Sequence, residues 1–124
     1  VVDVGCGIGT FLAAFKRQGI LDVLGIDGEW VQQRQVLSNL EPNEFLPHDL
    51  ESPIKLSRTF SLALCLEVVE HLSPQSAKTI VHTLVSLADI VVFSAAIPGQ
   101  GGQNHINEQP LSYWEALFHE HDYH

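Results

Sequence analysis

Asp3, Asp27 and Asp49 each stand inside or just after a short apolar run, and the first of them leads into a glycine cluster, Asp3-Val4-Gly5-Cys6-Gly7-Ile8-Gly9. Glycines of that kind let a ligand approach the backbone closely and adopt positive φ at little steric cost. Asp27, followed by Gly28, is suited to accept hydrogen bonds from two ribose hydroxyls, and Asp49 to accept from an adenine amino group. The spacing G-x-G-x-G departs from the G-x-G-x-x-G that wraps a dinucleotide pyrophosphate around a helix N-terminus. A pyrophosphate would also gain little from Asp3 and Asp49. The extra carboxylates suit a nucleoside that carries positive charge. Taken singly, each feature has a plainer reading: a tight turn, an Asp-Gly turn dipeptide, and a solvated loop opened by His48-Asp49.

A second constellation follows an apolar run. Glu67, Glu70 and His71 are spaced i, i+3 and i+4, so one helical turn would bring all three side chains to one face. His71, or His105 further along, can act as a general base toward an acidic hydroxyl, because imidazole titrates close to neutral pH. The plainer reading makes Glu70 and His71 polar residues at a helix start. The tail His119-Glu120-His121-Asp122-Tyr123-His124 lacks the H-E-x-x-H spacing of a zinc helix and reads as surface. Cys6 and Cys65 lie in separate apolar contexts without metal-ligand companions, as reduced structural thiols do.

Elements that would position these residues alternate along the chain. Val1 to Val4 reads as a buried strand, and Thr10 to Gln18 as a helix stopped by Gly19. Leu21 to Ile26 predicts a second strand, and Trp30 to Leu40 a second helix ending before Pro42. Phe45-Leu46 is a weak third strand and Phe60 to Leu66 a strong fourth. Ser73-Pro74 starts a helix with a side-chain cap and a first-turn proline, carrying Ala77, Ile80, Val81, Leu84, Leu87 and Ala88 on one stripe. Ile90 to Phe93 is the fifth strand. Pro98 to Glu108, rich in glycine, is a candidate lid or substrate loop ahead of a last helix with Leu111, Trp114, Leu117 and Phe118. Trp114 and Phe118 read as core or lid. The alternation predicts an α/β fold, a parallel sheet sandwiched by helices. Residues 1–124 form one domain.

Composition narrows the function. With 15 acidic against 6 basic residues the net charge is −9, which disfavours nucleic acid and anionic lipid as partners. No apolar run reaches membrane-spanning length, and no signal peptide is visible, so the expected location is cytoplasmic. The chain lacks methionine and opens inside an apolar run, so we expect its N-terminus to be trimmed.

The segment from Val1 to Leu12 resembles the first motif of class I S-adenosylmethionine-dependent methyltransferases, and Gly25-Ile26-Asp27 their second-strand acid. His48-Asp49-Leu50 is similar to the adenine-contacting segment, and Leu62 to Leu72 to the strand-four motif of the ubiquinone-biosynthesis type. The resemblance implies a Rossmann-like sheet of order 3-2-1-4-5, with strands 6 and 7 of the family expected beyond the final helix. It implies S-adenosylmethionine as cofactor, whose sulfonium and ammonium groups match the acids. Gly5, Cys6 and Gly7 would lie under its methionine portion and Asp3 would hold the amino group. Asp27 and Gly28 would take the ribose, Asp49 and Leu50 would frame the adenine, and Leu66 would face the ammonium. Small-RNA methyltransferases among the relatives hold a divalent ion with a Glu-x-x-Glu-His segment and a later histidine. Glu67, Glu70, His71 and His105 would be the counterparts, a set suited to Mg²⁺ or Mn²⁺. The implied activity is methyl transfer to an oxygen, nitrogen or carbon of a small molecule. Alternatives are a cofactor-binding module without activity, and a nicotinamide-dependent oxidoreductase.

Overall fold

The computed structural model describes residues 1–31 and 33–124. Its centre is a five-stranded sheet of order β3-β2-β1-β4-β5, made of β1 (Val2–Val4), β2 (Leu24–Asp27), β3 (Phe45–Pro47), β4 (Ala63–Leu66) and β5 (Val91–Ser94). Every pairing is parallel. This is the Rossmann-like arrangement expected, with the order reversal between β1 and β4. Parallel strands covered on both faces need near-continuous apolar sequence. Val2 and Val4 of the central strand are accordingly fully buried.

Helices α1 (Thr10–Arg17), α2 (Gln33–Val36), α3 (Ala77–Leu87) and α4 (Leu111–His119) form the outer layers. One core joins Val2, Val4, Ile26 and Cys65 to α3 and α4 through Ile80, Leu84, Leu87 and Trp114. A smaller one joins Cys6 and Val23 to Leu12 of α1 and to Val36 and Leu40. Trp114 is a core residue, its indole packed against Phe93 at 5.3 Å between centroids.

Several boundaries differ from expectation. β2 begins at Leu24 because β1 pairs Val2 with Leu24, leaving Leu21 without a strand opposite and 72% exposed. β4 begins at Ala63, with Phe60 making only an isolated bridge to Ala88. The helix expected over residues 30–40 is described only as Gln33–Val36, and Gln32 lies outside the described residues. Beyond it, Ser38 Oγ donates to the Gln35 carbonyl at 2.6 Å, a local bond that competes with helix continuation. Ser73 does not cap with its side chain. A 3-10 turn over Pro74–Ser76 precedes α3 instead, with Ser76 Oγ bonded to the Ser73 carbonyl at 2.8 Å.

Candidate functional site

The turn after β1 is built on backbone that favours glycine. Gly5, Gly7 and Gly9 have φ of 85°, 50° and 76°. A Cβ on Gly5 would run into Val68, whereas one on Gly7 would meet nothing within 4 Å. Gly5 therefore makes the turn fit against the β4 side, and Gly7 presents bare backbone to open space. Both Gly5 and Cys6 donate to the Ile26 carbonyl, at 2.7 and 3.2 Å, which docks the turn on the end of β2.

Asp27 closes that junction. Its Oδ2 accepts from the Gly7 N–H and its Oδ1 from the Gly28 N–H, both at 2.7 Å. Asp3 lies 2% exposed in the middle of β1, and its Oδ2 has no hydrogen-bond partner. Burial, and then the nearby Asp27 carboxylate, push the Asp3 carboxyl up to about 7. Burial also raises the thiols of Cys6 and Cys65, with Asp27 and Asp3 adding to the effect, so both remain protonated. They are structural, as expected. The structure thus brings Asp3, Gly5, Cys6, Gly7, Asp27 and Gly28 to one end of β1 and β2.

Asp49 and Leu50 have structural roles in the fold. Asp49 is exposed and caps a turn, accepting from the Glu51 N–H at 3.0 Å and the Ser52 hydroxyl at 3.1 Å. Each of its oxygens keeps a further lone pair. Leu50 is 2% exposed and packs in the main core, so its backbone rather than its side chain is left for a ligand. Leu66 is half-buried at the end of β4, in register with Ser94.

The expected helical turn after β4 is a 3-10 turn over Val69–His71, and Glu67 stands outside it with φ of 55°. The three side chains consequently do not share a face. Glu67 Oε1 accepts from Ser94 Oγ at 2.7 Å, which ties it across to β5. Glu70, His71 and His105 do converge, offering ligand atoms that lie within 4.8 Å of one another. Glu70 is fully buried and neither of its carboxylate oxygens has a partner.

His105 is brought there by backbone strapping. The Glu70 carbonyl accepts from the Ile106 and Asn107 N–H groups at 2.8 and 3.1 Å, and Asn107 Nδ2 donates to the Val69 carbonyl at 3.2 Å. The His71 and His105 rings meet edge to face at 4.9 Å. His71 Nδ1 lies 3.3 Å from the Asn104 carbonyl and His105 Nδ1 3.0 Å from Glu108, so in each ring Nε2 is the nitrogen left free. Such outer partners orient metal-binding imidazoles. With Glu67 diverted, the set is one carboxylate and two imidazoles, which suits Mn²⁺, Fe²⁺ or Zn²⁺ better than Mg²⁺.

Sequence reasoning did not single out Ser94, Asn107 and Glu108, which hydrogen-bond to the candidate residues or their backbone without a motif of their own. Trp30, read as a helix start, stands in a turn instead, with its indole where a Cβ on Gly28 would be, and it is 70% exposed. Among the described residues, no helix is long and apolar enough to cross a membrane.

Residues 1–123 match the family described as "Methyltransferase domain". No match is found among curated proteins. Solved structures share the fold. The plantazolicin methyltransferase BpumL, in complex with a desmethyl analogue and S-adenosylhomocysteine, superposes with TM-score 0.67 at 18% identity, over 94% of this chain and 52% of that one. DesVI of Streptomyces venezuelae gives 0.66 at 19% identity, over 82% and 45%. LepI in complex with S-adenosylmethionine gives 0.65 at 16% identity, over 96% and 36%. The chain thus spans between 36% and 52% of the lengths of these neighbours. Taken with the sheet order and the glycine turn docked on Asp27, the match along residues 1–123 means that the chain belongs to the class I S-adenosylmethionine-dependent methyltransferase family.

Proposed function

We propose that the chain binds S-adenosylmethionine across the ends of β1 and β2 and presents its methyl group to a nucleophilic oxygen, nitrogen or carbon of a small molecule in the cytoplasm. The observation that carries this reading is the bond from the Gly7 N–H to Asp27, which joins glycine turn and ribose acid in one surface. Asp27 would exchange these backbone donors for, or share them with, the ribose hydroxyls. Gly5, Cys6 and Gly7 floor the methionine portion, and Asp3 supplies negative charge beneath the ammonium, which the Leu66 carbonyl also faces. Asp49 would receive the adenine amino group on its free lone pairs, beside the Leu50 backbone.

Methyl transfer removes positive charge from sulfur, so the protein mainly has to align donor and acceptor and exclude water. The glycine turn contacts the β4 side through Val68, which leads directly into the Glu70 and His71 turn. That order supports an acceptor-side base in His71 or His105 when no ion is bound. The orphaned Glu70 carboxylate and the two free Nε2 atoms fit a divalent ion, which when bound would polarise an acceptor hydroxyl. A net charge of −9 favours a small acceptor over nucleic acid.

Thermal unfolding with added nucleotide tests the cofactor assignment. S-adenosylhomocysteine should raise the melting temperature and NAD should not. The opposite pattern would make the chain a nicotinamide-binding protein.

A further inference from the structure

Glu108 gathers donors from two separate segments on one carboxylate. Its Oε2 accepts from the Gly99 N–H at 2.9 Å, and its Oε1 accepts from the Gly101 N–H at 2.9 Å while lying 3.0 Å from His105 Nδ1. A carboxylate has the lone pairs to accept all of these bonds at once. Gly99 and Gly101 sit at φ of 86° and 71°, a path that side-chain-bearing residues rarely follow. The neighbouring Gly102 leaves room for the His105 ring, since a Cβ there would run into it.

His105 is in turn one of the residues gathered around the buried Glu70. We propose that Glu108 is a positioning residue that fixes His105 in its Nδ1–H tautomer, with Nε2 free for the Glu70 and His71 cluster, and makes that orientation depend on an ordered 98–102 loop. The chemical consequence, a base or ligand that is set only when the loop is in place, rests on the acceptor-side reading above. The relay itself does not.

Long-range ¹H–¹⁵N NMR of the chain, at a pH above the imidazole range, tests it. Wild-type His105 should show the Nδ1–H tautomer alone, and Glu108→Ala should give a mixture. Amide exchange at Gly99 and Gly101 should quicken by about tenfold in Glu108→Ala, and measurably in His105→Ala, if loop and ring are coupled. An Nε2–H tautomer in the wild type overturns the proposal whether or not either variant folds, and so does unchanged exchange in either variant. Failure of the wild type to bind Mn²⁺ while His105 keeps its Nδ1–H tautomer would remove the metal reading and uphold the relay.

Discussion

The Gly7 N–H and the Asp27 carboxylate meet at 2.7 Å across 20 residues of chain, so the turn after β1 and the end of β2 form one hydrogen-bonded unit. Either strand alone would offer a loop. Joined, they present bare backbone and negative charge side by side, next to a second, unpartnered carboxylate in Asp3.

Gly5 and Gly7 should fail differently when given a methyl group. Gly5→Ala combines a left-handed φ with a collision against Val68 and should cost about 3 kcal/mol or more of stability. Gly7→Ala has the strain without the collision and should cost about 1–2 kcal/mol. Its larger effect should be on S-adenosylhomocysteine, with affinity reduced by about tenfold or more. Urea denaturation and calorimetry separate the two. Equal losses of stability would contradict the assigned roles.

Asp3 makes the stability of the unliganded chain depend on pH. Its carboxyl is raised from 3.8 to about 7 in the fold, so between those values the native state holds a proton that the unfolded state has released. Stability from this group is fully present below pH 3.8 and is lost as pH rises through about 7. The slope in that window should approach about 1.4 kcal/mol per pH unit. Asp3→Asn should flatten it. A ligand ammonium favours the ionised acid, so binding below pH 7 should release a proton, visible as a dependence of the calorimetric enthalpy on the buffer.

Glu70→Gln separates the proposed metal site from the proposed cofactor site. Mn²⁺ at about a hundredfold above its Kd should stabilise the wild type by about 2.7 kcal/mol. The variant should lose this gain and keep the stabilisation by S-adenosylhomocysteine. Stabilisation by Mn²⁺ that survives in Glu70→Gln would place the ion elsewhere.

The alternation of apolar runs and helical stripes made the sheet legible, because each parallel strand must be apolar on both faces and each helix on one. The meeting of Asp3, the glycines and Asp27 was legible for a similar reason: they lie next to strand ends, where sequence position fixes spatial position. The acceptor end was less so. Spacing placed Glu67 with Glu70 and His71 on an assumed helical turn, but a left-handed Glu67 and a 3-10 turn sent it to Ser94 instead. Glu108 was legible only as the end of the glycine-rich segment. Its role comes from hydrogen bonds to Gly99, Gly101 and His105 that form only when the loop folds back on itself. Leu50 was placed at the ligand by motif, while its side chain was claimed by the core.

Calorimetric titration of S-adenosylhomocysteine into the wild type and Asp27→Ala bears most directly on the cofactor site. The wild type should bind, and the variant should bind about 1.5–3 kcal/mol more weakly, as expected for lost hydrogen bonds to a charged acceptor. Equal affinity in the two proteins would show that the ribose is held elsewhere and would contradict the account.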